Sequence, residues 1–202
     1  VQAKRYAGWF EDQLTASRSP FLAFLDLVEA AGEKVSQNHL QEAWFTAAIT
    51  GRDQLRQRVA NALLEILVVS QRGGVNQTAL ASYMDTLMID AFANFRTILQ
   101  DVTLHPAMGR YLNMLQNAKE NPRTGRVPNE NYARELLQLF SIGLYRLNLD
   151  GSLVLGGDGL PVPTYDQSVI VGFSKVWTGW TYYQAPPPYT FWPTADWRNP
   201  LV

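Results

Sequence analysis

Apolar residues recur at three- and four-residue intervals through most of this chain, and that spacing confines it to a fold of packed helices. Leu80, Met84, Leu87, Met88, Ala91 and Phe95 form a broad stripe along an expected helix from Ala79 to Leu99. Leu40, Trp44, Phe45 and Ala48 share one side of a helix from Gln37 to Ile49. Tyr6, Phe10 and Leu14 repeat in the same way from Val1 to Ala16, and Val1-Gln2-Ala3-Lys4 reads as helix interior rather than as a signal peptide. Ser19-Pro20 opens Phe21 to Ala31, with Ser as N-cap and Pro in the first turn, and Gly32 stops it. Thr50-Gly51-Arg52-Asp53 resembles a capping box with Asp in the place of Glu, leading into Leu55 to Val69. Gly73-Gly74 breaks the chain, and His105-Pro106 marks the boundary before a short helix from Met108 to Leu115.

Beyond about residue 144 the pattern changes. Asp150 to Leu155 and Leu160 to Thr164 flank Gly156-Gly157-Asp158-Gly159, which reads as a β-hairpin. Thr164-Tyr165-Asp166-Gln167 is a capping box for a helix reaching Trp177. Trp177, Trp180, Tyr182, Tyr183, Tyr189, Phe191, Trp192 and Trp197 then crowd into one segment that Pro186-Pro187-Pro188 and Pro193 interrupt. Proline at that density forbids a regular helix and leaves an extended strap. No internal repeat of fixed period is visible. The expected fold is mainly α, a multi-helix, orthogonally packed domain of seven or eight helices with one β-hairpin insertion. Its parts are a helical domain over 1–149, the hairpin over 150–164, a completing helix over 165–180 and the strap over 181–202.

Composition narrows the chemistry. The 202 residues are 47% apolar and 17% charged, enough for a buried core and unlike a disordered chain. A net charge of −1 with no long basic run lacks the footprint of a nucleic-acid binder. The apolar stretches are too short to span a bilayer. Cysteine is absent, which removes thiolate catalysis, disulfides and Cys-ligated metals. No Gly-x-Ser-x-Gly elbow, P-loop or dinucleotide fingerprint is present, so no cofactor is expected.

The most distinctive string is Pro128-Asn129-Glu130-Asn131-Tyr132-Ala133-Arg134-Glu135-Leu136. Asn129 suits an N-cap, and Glu130 would lie in the first turn, where the dipole favours a carboxylate. Glu130 with Arg134, and Asn131 with Glu135, are four apart, while Tyr132, Leu136, Leu139 and Phe140 make an apolar stripe. One reading is a well-capped helix locked by its ion pair. The other is a site, with Glu130 or Glu135 as general acid/base and Arg134 holding an anionic or carbonyl group.

The Asn129–Leu136 string, His105-Pro106-Ala107-Met108 and Trp177-Thr178-Gly179-Trp180, together with Trp44-Phe45 and the Leu55–Ser70 segment, resemble the bacterial domain-of-unknown-function 1800 family over nearly the whole chain. Members are usually about twice this long, so the chain resembles the N-terminal portion, and a C-terminal half carrying further His and Asp positions is a possible partner. The resemblance implies an exported bacterial protein, periplasmic or extracellular, often encoded beside an exported sulfatase-like family that is a candidate partner. It implies no activity.

His39 and His105 are the two histidines. His105 with Glu130 and Glu135 would make a three-ligand set for zinc if the fold joined them; as a helix-start residue His105 would bond backbone groups instead. No metal is expected. The Asp150 region fails the EF-hand pattern, since Arg146 stands at its first position and Gly157 at its twelfth. Trp177, Trp180, Tyr182 and Trp192, with Asn129 and Asn131, are the candidate binding residues; the aromatics either bury, form an interface or stack on sugars. The expected function is a structural or protein-interaction component of the cell envelope or surface. The alternative is a hydrolase of an envelope or extracellular polymer centred on Glu130, Arg134, Glu135 and His105.

Overall fold

The computed structural model describes residues 5–185 and 190–202; the expectations placed on Val1 to Lys4, on Pro186-Pro187-Pro188 and on Tyr189 lie outside them. The chain is mainly α. Nine helices form among the described residues: α1 (Arg5–Thr15), α2 (Phe21–Ala30), α3 (Gln37–Thr50), α4 (Gln54–Ile66), α5 (Gln77–Ile89), α6 (Phe95–Leu104), α7 (Pro106–Tyr111), α8 (Asn131–Gln138) and α9 (Gln167–Val176). No helix among the described residues is long and apolar enough to cross a membrane. The chain divides into two units, one of residues 1–111 with 195–200 and one of 112–194 with 201–202.

In the first unit α5 is the central helix and packs on α2, α3, α4, α6 and α7. It can do so because its buried residues lie on several sides: Ala79, Ala81, Ser82, Tyr83, Leu87 and Met88. Alanines let neighbours approach closely, while burying Leu87 and Met88 stabilises by roughly 1.5–3 kcal/mol each. The stripe expected from Ala79 to Leu99 belongs to two helices rather than one. The chain turns at residues 90–94, and the Asn94 side chain accepts from Thr97 N at 3.1 Å to cap α6.

Long-range side chains replace two expected local caps: Asp85 serves α2, and Gln13, whose Oε1 accepts from Leu55 N at 2.9 Å, serves α4. Ser19 does not cap α2; instead Asp85 reaches from α5 and accepts from Phe21 N (2.7 Å) and Leu22 N (2.9 Å). The capping box expected at Thr50–Asp53 does not form either, because Thr50 ends α3 and the fully buried Asp53 turns its carboxylate to Ser19. Asp53 accepts there from Ser19 N (3.0 Å) and Ser19 Oγ (2.9 Å), and from Gln57 Nε2 (3.3 Å). Gly51 is required beside it, since a Cβ there would lie 2.4 Å from the Ala47 carbonyl oxygen. On α3, Leu40, Ala43 and Ala47 are buried, and Phe45 is exposed.

In the second unit α8 packs on α9, burying Tyr132, Ala133, Leu136 and Ile170. The expected β-hairpin is not present as a pair of strands. Residues 144–164 instead form isolated antiparallel bridges, Tyr145–Pro163, Leu147–Leu153 and Leu155–Pro161. Their hydrogen bonds close a ring: Arg146 N donates to Val162 O, Val162 N to Val154 O, and Val154 N to Arg146 O, each at 2.9 Å. Two tight turns connect the three short arms, and Gly151 (φ 83°) and Gly159 (φ 79°) supply the left-handed residue each turn needs. A repeat that the plain sequence hides becomes visible here. Asp150, Asp158 and Asp166 stand eight apart, and each Oδ1 accepts from the backbone N two residues on, in Ser152, Leu160 and Ser168. The third member is the N-cap of α9, so Asp166, not Thr164, starts that helix. Leu147, Leu149, Leu153, Leu155 and Leu160 project from this loop into solvent.

Candidate functional site

The distinctive string lies in the second unit and starts a short helix. α8 runs from Asn131 to Gln138, so Glu130 stands at its N-cap position rather than in its first turn. Asn129 still organises the start, because its Oδ1 accepts from Asn131 N at 2.9 Å. The early end turns Leu139 out to solvent, while Tyr132, Leu136 and Phe140 stay buried. Tyr132 meets Trp177 edge-on at 5.1 Å between ring centroids, and Phe173 meets Trp177 at 5.3 Å. The aromatic face of the string and the start of the strap therefore build one cluster.

Glu130 and Arg134 pair as their spacing predicts, with Arg134 Nη2 donating to Glu130 Oε2 at 2.9 Å. A third residue completes the set. Gln167 Nε2 donates to the same Oε2 at 2.9 Å, and Gln167 Oε1 accepts from Arg134 Nη2 at 3.3 Å. Each member thus bonds both others, a closed polar triangle between α8 and α9. In the capping box that the sequence suggests, the Gln167 side chain would face its own backbone; it turns to Glu130 and Arg134 instead. Glu135 is half-buried, and its carboxylate makes no hydrogen bond or ion pair among the described residues.

Asn117 is the residue that sequence reasoning missed. Its buried amide accepts from Asn129 N (2.8 Å) and donates to Asn129 O (3.2 Å) and Trp177 O (3.3 Å). Its own carbonyl accepts from Gly179 N at 3.0 Å. One side chain so ties the string to the Trp177-Thr178-Gly179-Trp180 block. The preceding turn is strained, since Asn113 (φ 62°) and Gln116 (φ 57°) are both left-handed. Asn131 Nδ2 donates to Asn113 Oδ1 at 3.3 Å, and Gln116 is held by Trp180 O and Phe191 O. No signal in the sequence marks Asn117, a polar residue between two helices.

The strap divides. Tyr182 is buried and Trp180 half-buried, with its Nε1 donating to Val176 O at 3.4 Å. Trp192 is 69% exposed and touches Phe191 edge-on.

His105 lies in the first unit, buried at the C-cap of α6. Its Nδ1 accepts from Ala107 N at 3.1 Å, so the ring proton sits on Nε2 and points at Ser82 Oγ, 3.2 Å away. Burial lowers its pKa to about 4, with a hydrogen bond to the Ser82 backbone opposing, and Tyr83 meets its ring edge-on. An imidazole that donates to serine cannot also take the serine's proton. His39 is likewise local: it exchanges bonds with Ser36 in the capping box of α3. No group of three or more His, Asp or Glu placed to hold a metal ion occurs among the described residues.

A family model described as a protein of unknown function, DUF1800, matches residues 1–199. The chain belongs to this family. No curated protein and no solved structure matches it. The three blocks that carry the resemblance have distinct physical roles: polar triangle and aromatic cluster at 129–136, buried corner at 105–108, and Asn117-clamped turn at 177–180.

Proposed function

We propose that this chain is a protein-interaction component of the bacterial cell envelope or cell surface, exported to the periplasm or beyond, as the family resemblance implies. The observation that carries the reading is the bridged loop at 144–164. Its backbone is held by the ring of bonds through Arg146, Val154 and Val162, yet Leu147, Leu149, Leu153, Leu155 and Leu160 stay exposed. Ordered apolar side chains grouped in solvent mark contact surfaces more often than accidents. Trp192 and Tyr183 in the strap are the second candidate contact, and the partner of choice is the co-exported sulfatase-like protein.

The hydrolase reading around Glu130, Arg134, Glu135 and His105 draws less support. Glu130 Oε2 already accepts two hydrogen bonds, and His105 holds its proton on the nitrogen facing Ser82. Asn129, Asn131, Trp177, Trp180 and Tyr182 serve in this reading as the scaffold of the string rather than as ligand contacts.

The test is size-exclusion chromatography of the chain mixed with the sulfatase-like protein encoded beside it. A complex should form, and a Leu149→Asp/Leu160→Asp variant with an unchanged circular dichroism spectrum should lose it by roughly tenfold or more in affinity. A complex indifferent to those leucines, or none at all, overturns the assignment.

A further inference from the structure

Residues 117–129 of the second unit form a finger that is closed at its base and again near its tip. At the base the buried Asn117 amide bonds both Asn129 N (2.8 Å) and Asn129 O (3.2 Å). Near the tip Asn121 N donates to Arg126 O at 2.9 Å. Asn121 also accepts twice, from Arg123 N at its Oδ1 (3.0 Å) and from Thr124 N at its carbonyl (3.1 Å). Arg126 Nε joins the two arms by donating to Lys119 O at 3.2 Å. The backbone is therefore fixed although the finger buries little: Lys119, Glu120 and every residue from 122 to 127 are exposed.

Positive charge is gathered on this finger. Lys119, Arg123 and Arg126 fall within eight residues, and none of them makes an ion pair among the described residues. The one acid of the segment, Glu120, is already neutralised, with Lys175 Nζ 3.0 Å from its Oε2. Three uncompensated cations thus repel one another in a chain whose net charge is −1. An anionic surface relieves that repulsion, and the fixed backbone leaves little to be ordered on contact. Apolar groups sit beside the charges: Val127 is 74% exposed, and Pro122 is exposed as well.

We propose that this finger docks on the surface of an anionic lipid bilayer, with Lys119, Arg123 and Arg126 against the head groups and Val127 and Pro122 entering the interface. A soluble polyanion would engage the charges alone, whereas a bilayer surface takes the apolar pair too. Such attachment is peripheral and weakens with salt. The finger is separate in sequence from the leucine-bearing loop, and its docking needs no partner protein.

Cosedimentation of the 202-residue chain with vesicles of phosphatidylcholine, and of phosphatidylcholine mixed equally with phosphatidylglycerol, tests this. Binding to the anionic vesicles should exceed binding to the neutral ones by about a hundredfold. It should fall away in about 0.5 M NaCl. A Lys119→Gln/Arg123→Gln variant changes two exposed side chains that make no hydrogen bond or ion pair among the described residues, so the fold should persist while vesicle binding weakens by about tenfold or more. Val127→Ser should weaken it by roughly fivefold. Arg72→Gln, at an exposed cation of the first unit, should bind like the parent. Equal binding to neutral vesicles, a Lys119→Gln/Arg123→Gln variant that binds like the parent, or equal weakening by Arg72→Gln would each overturn the proposal. So would a Val127→Ser variant without effect together with displacement of the chain by polyphosphate, which would assign the finger to a soluble polyanion.

Discussion

Two buried polar side chains, Asp53 in the first unit and Asn117 in the second, tie distant segments together, and they do so with opposite chemistry. Asp53 is acceptor-only, so its partners must be donors, and Ser19 N, Ser19 Oγ and Gln57 Nε2 supply them. Asn117 both donates and accepts, so it can bond the N–H and the C=O of Asn129 at once, much as a neighbouring strand would. The first unit adds its carboxylate to a core of helices that already bury Leu25, Leu67, Leu87, Met88 and Met108. Among the described residues the second unit has only two helices, α8 and α9, and relies on polar clamps and the bridged loop to hold its shape. A buried carboxylate bonded to three donors reinforces a packed core; a buried amide bonding backbone substitutes for missing secondary structure.

That contrast is open to test. Asp53→Ala should have the largest effect, since it takes a fully buried acceptor from Ser19 N, Ser19 Oγ and Gln57 Nε2. A loss of about 4 kcal/mol by urea denaturation is expected. A loss below about 1 kcal/mol would mean that packing alone holds the Ser19 segment to α4. Asn117→Ala should cost about 3 kcal/mol and act locally. Hydrogen exchange should rise in residues 129–140 and 177–180 while α5 keeps its protection; equal loss in α5 would erase the distinction between the units.

Acid titration probes the first unit from a different side. The buried His105 has a folded pKa of about 4 against 6.5 for the unfolded chain. The unfolded state therefore binds more protons between those values, and the His105 contribution is complete above pH 6.5 and lost as pH falls toward 4. Asp90 works the other way. Burial, then the charge of Asp101 and its hydrogen bond, raise Asp90 to about 6. Its native state holds the extra proton, so its contribution is present below pH 3.8 and lost as pH rises through 6. The two largely offset one another between pH 4 and 6. Asp90→Asn should raise the melting temperature at pH 7 by a few degrees and make the protein more sensitive to acid than the parent. A variant with an unaltered pH profile would place the Asp90 carboxyl in a more solvated setting. Smallest is Glu130→Gln, which breaks a half-exposed ion pair but can still accept from Gln167; under about 1 kcal/mol is expected in thermal unfolding.

Legibility in the sequence follows the same division. Helical class was readable because apolar residues recur at helical spacing, although on α5 burial spreads beyond the stripe to Ala81, Ser82 and Tyr83. The break between α5 and α6 was hidden because the apolar stripe continues across the turn, and only Asn94 betrays it. Asp85 looks like an ordinary helix residue and Asp53 like a local cap, since their partners lie 64 and 34 residues away and such long-range bonds leave no local pattern. The Glu130–Arg134 pair was visible from its spacing; Gln167 and Asn117 were not, because amides bonded across loops carry no spacing rule. The eight-residue recurrence was masked by its side chains, which share only the Asp and a nearby Gly in its first two turns.

The ring through Arg146, Val154 and Val162 has a further consequence. In an ordinary hairpin the outer margins carry unpaired amides and carbonyls, and any extended chain can add itself there. Here each arm's central residue spends its N–H on one neighbour and its C=O on the other, so at those rungs no margin remains. The loop is thereby sociable through its leucines and mute through its main chain. A companion has to match its contour and cannot merely extend its pleat, which guards an exposed apolar loop against runaway fibril growth.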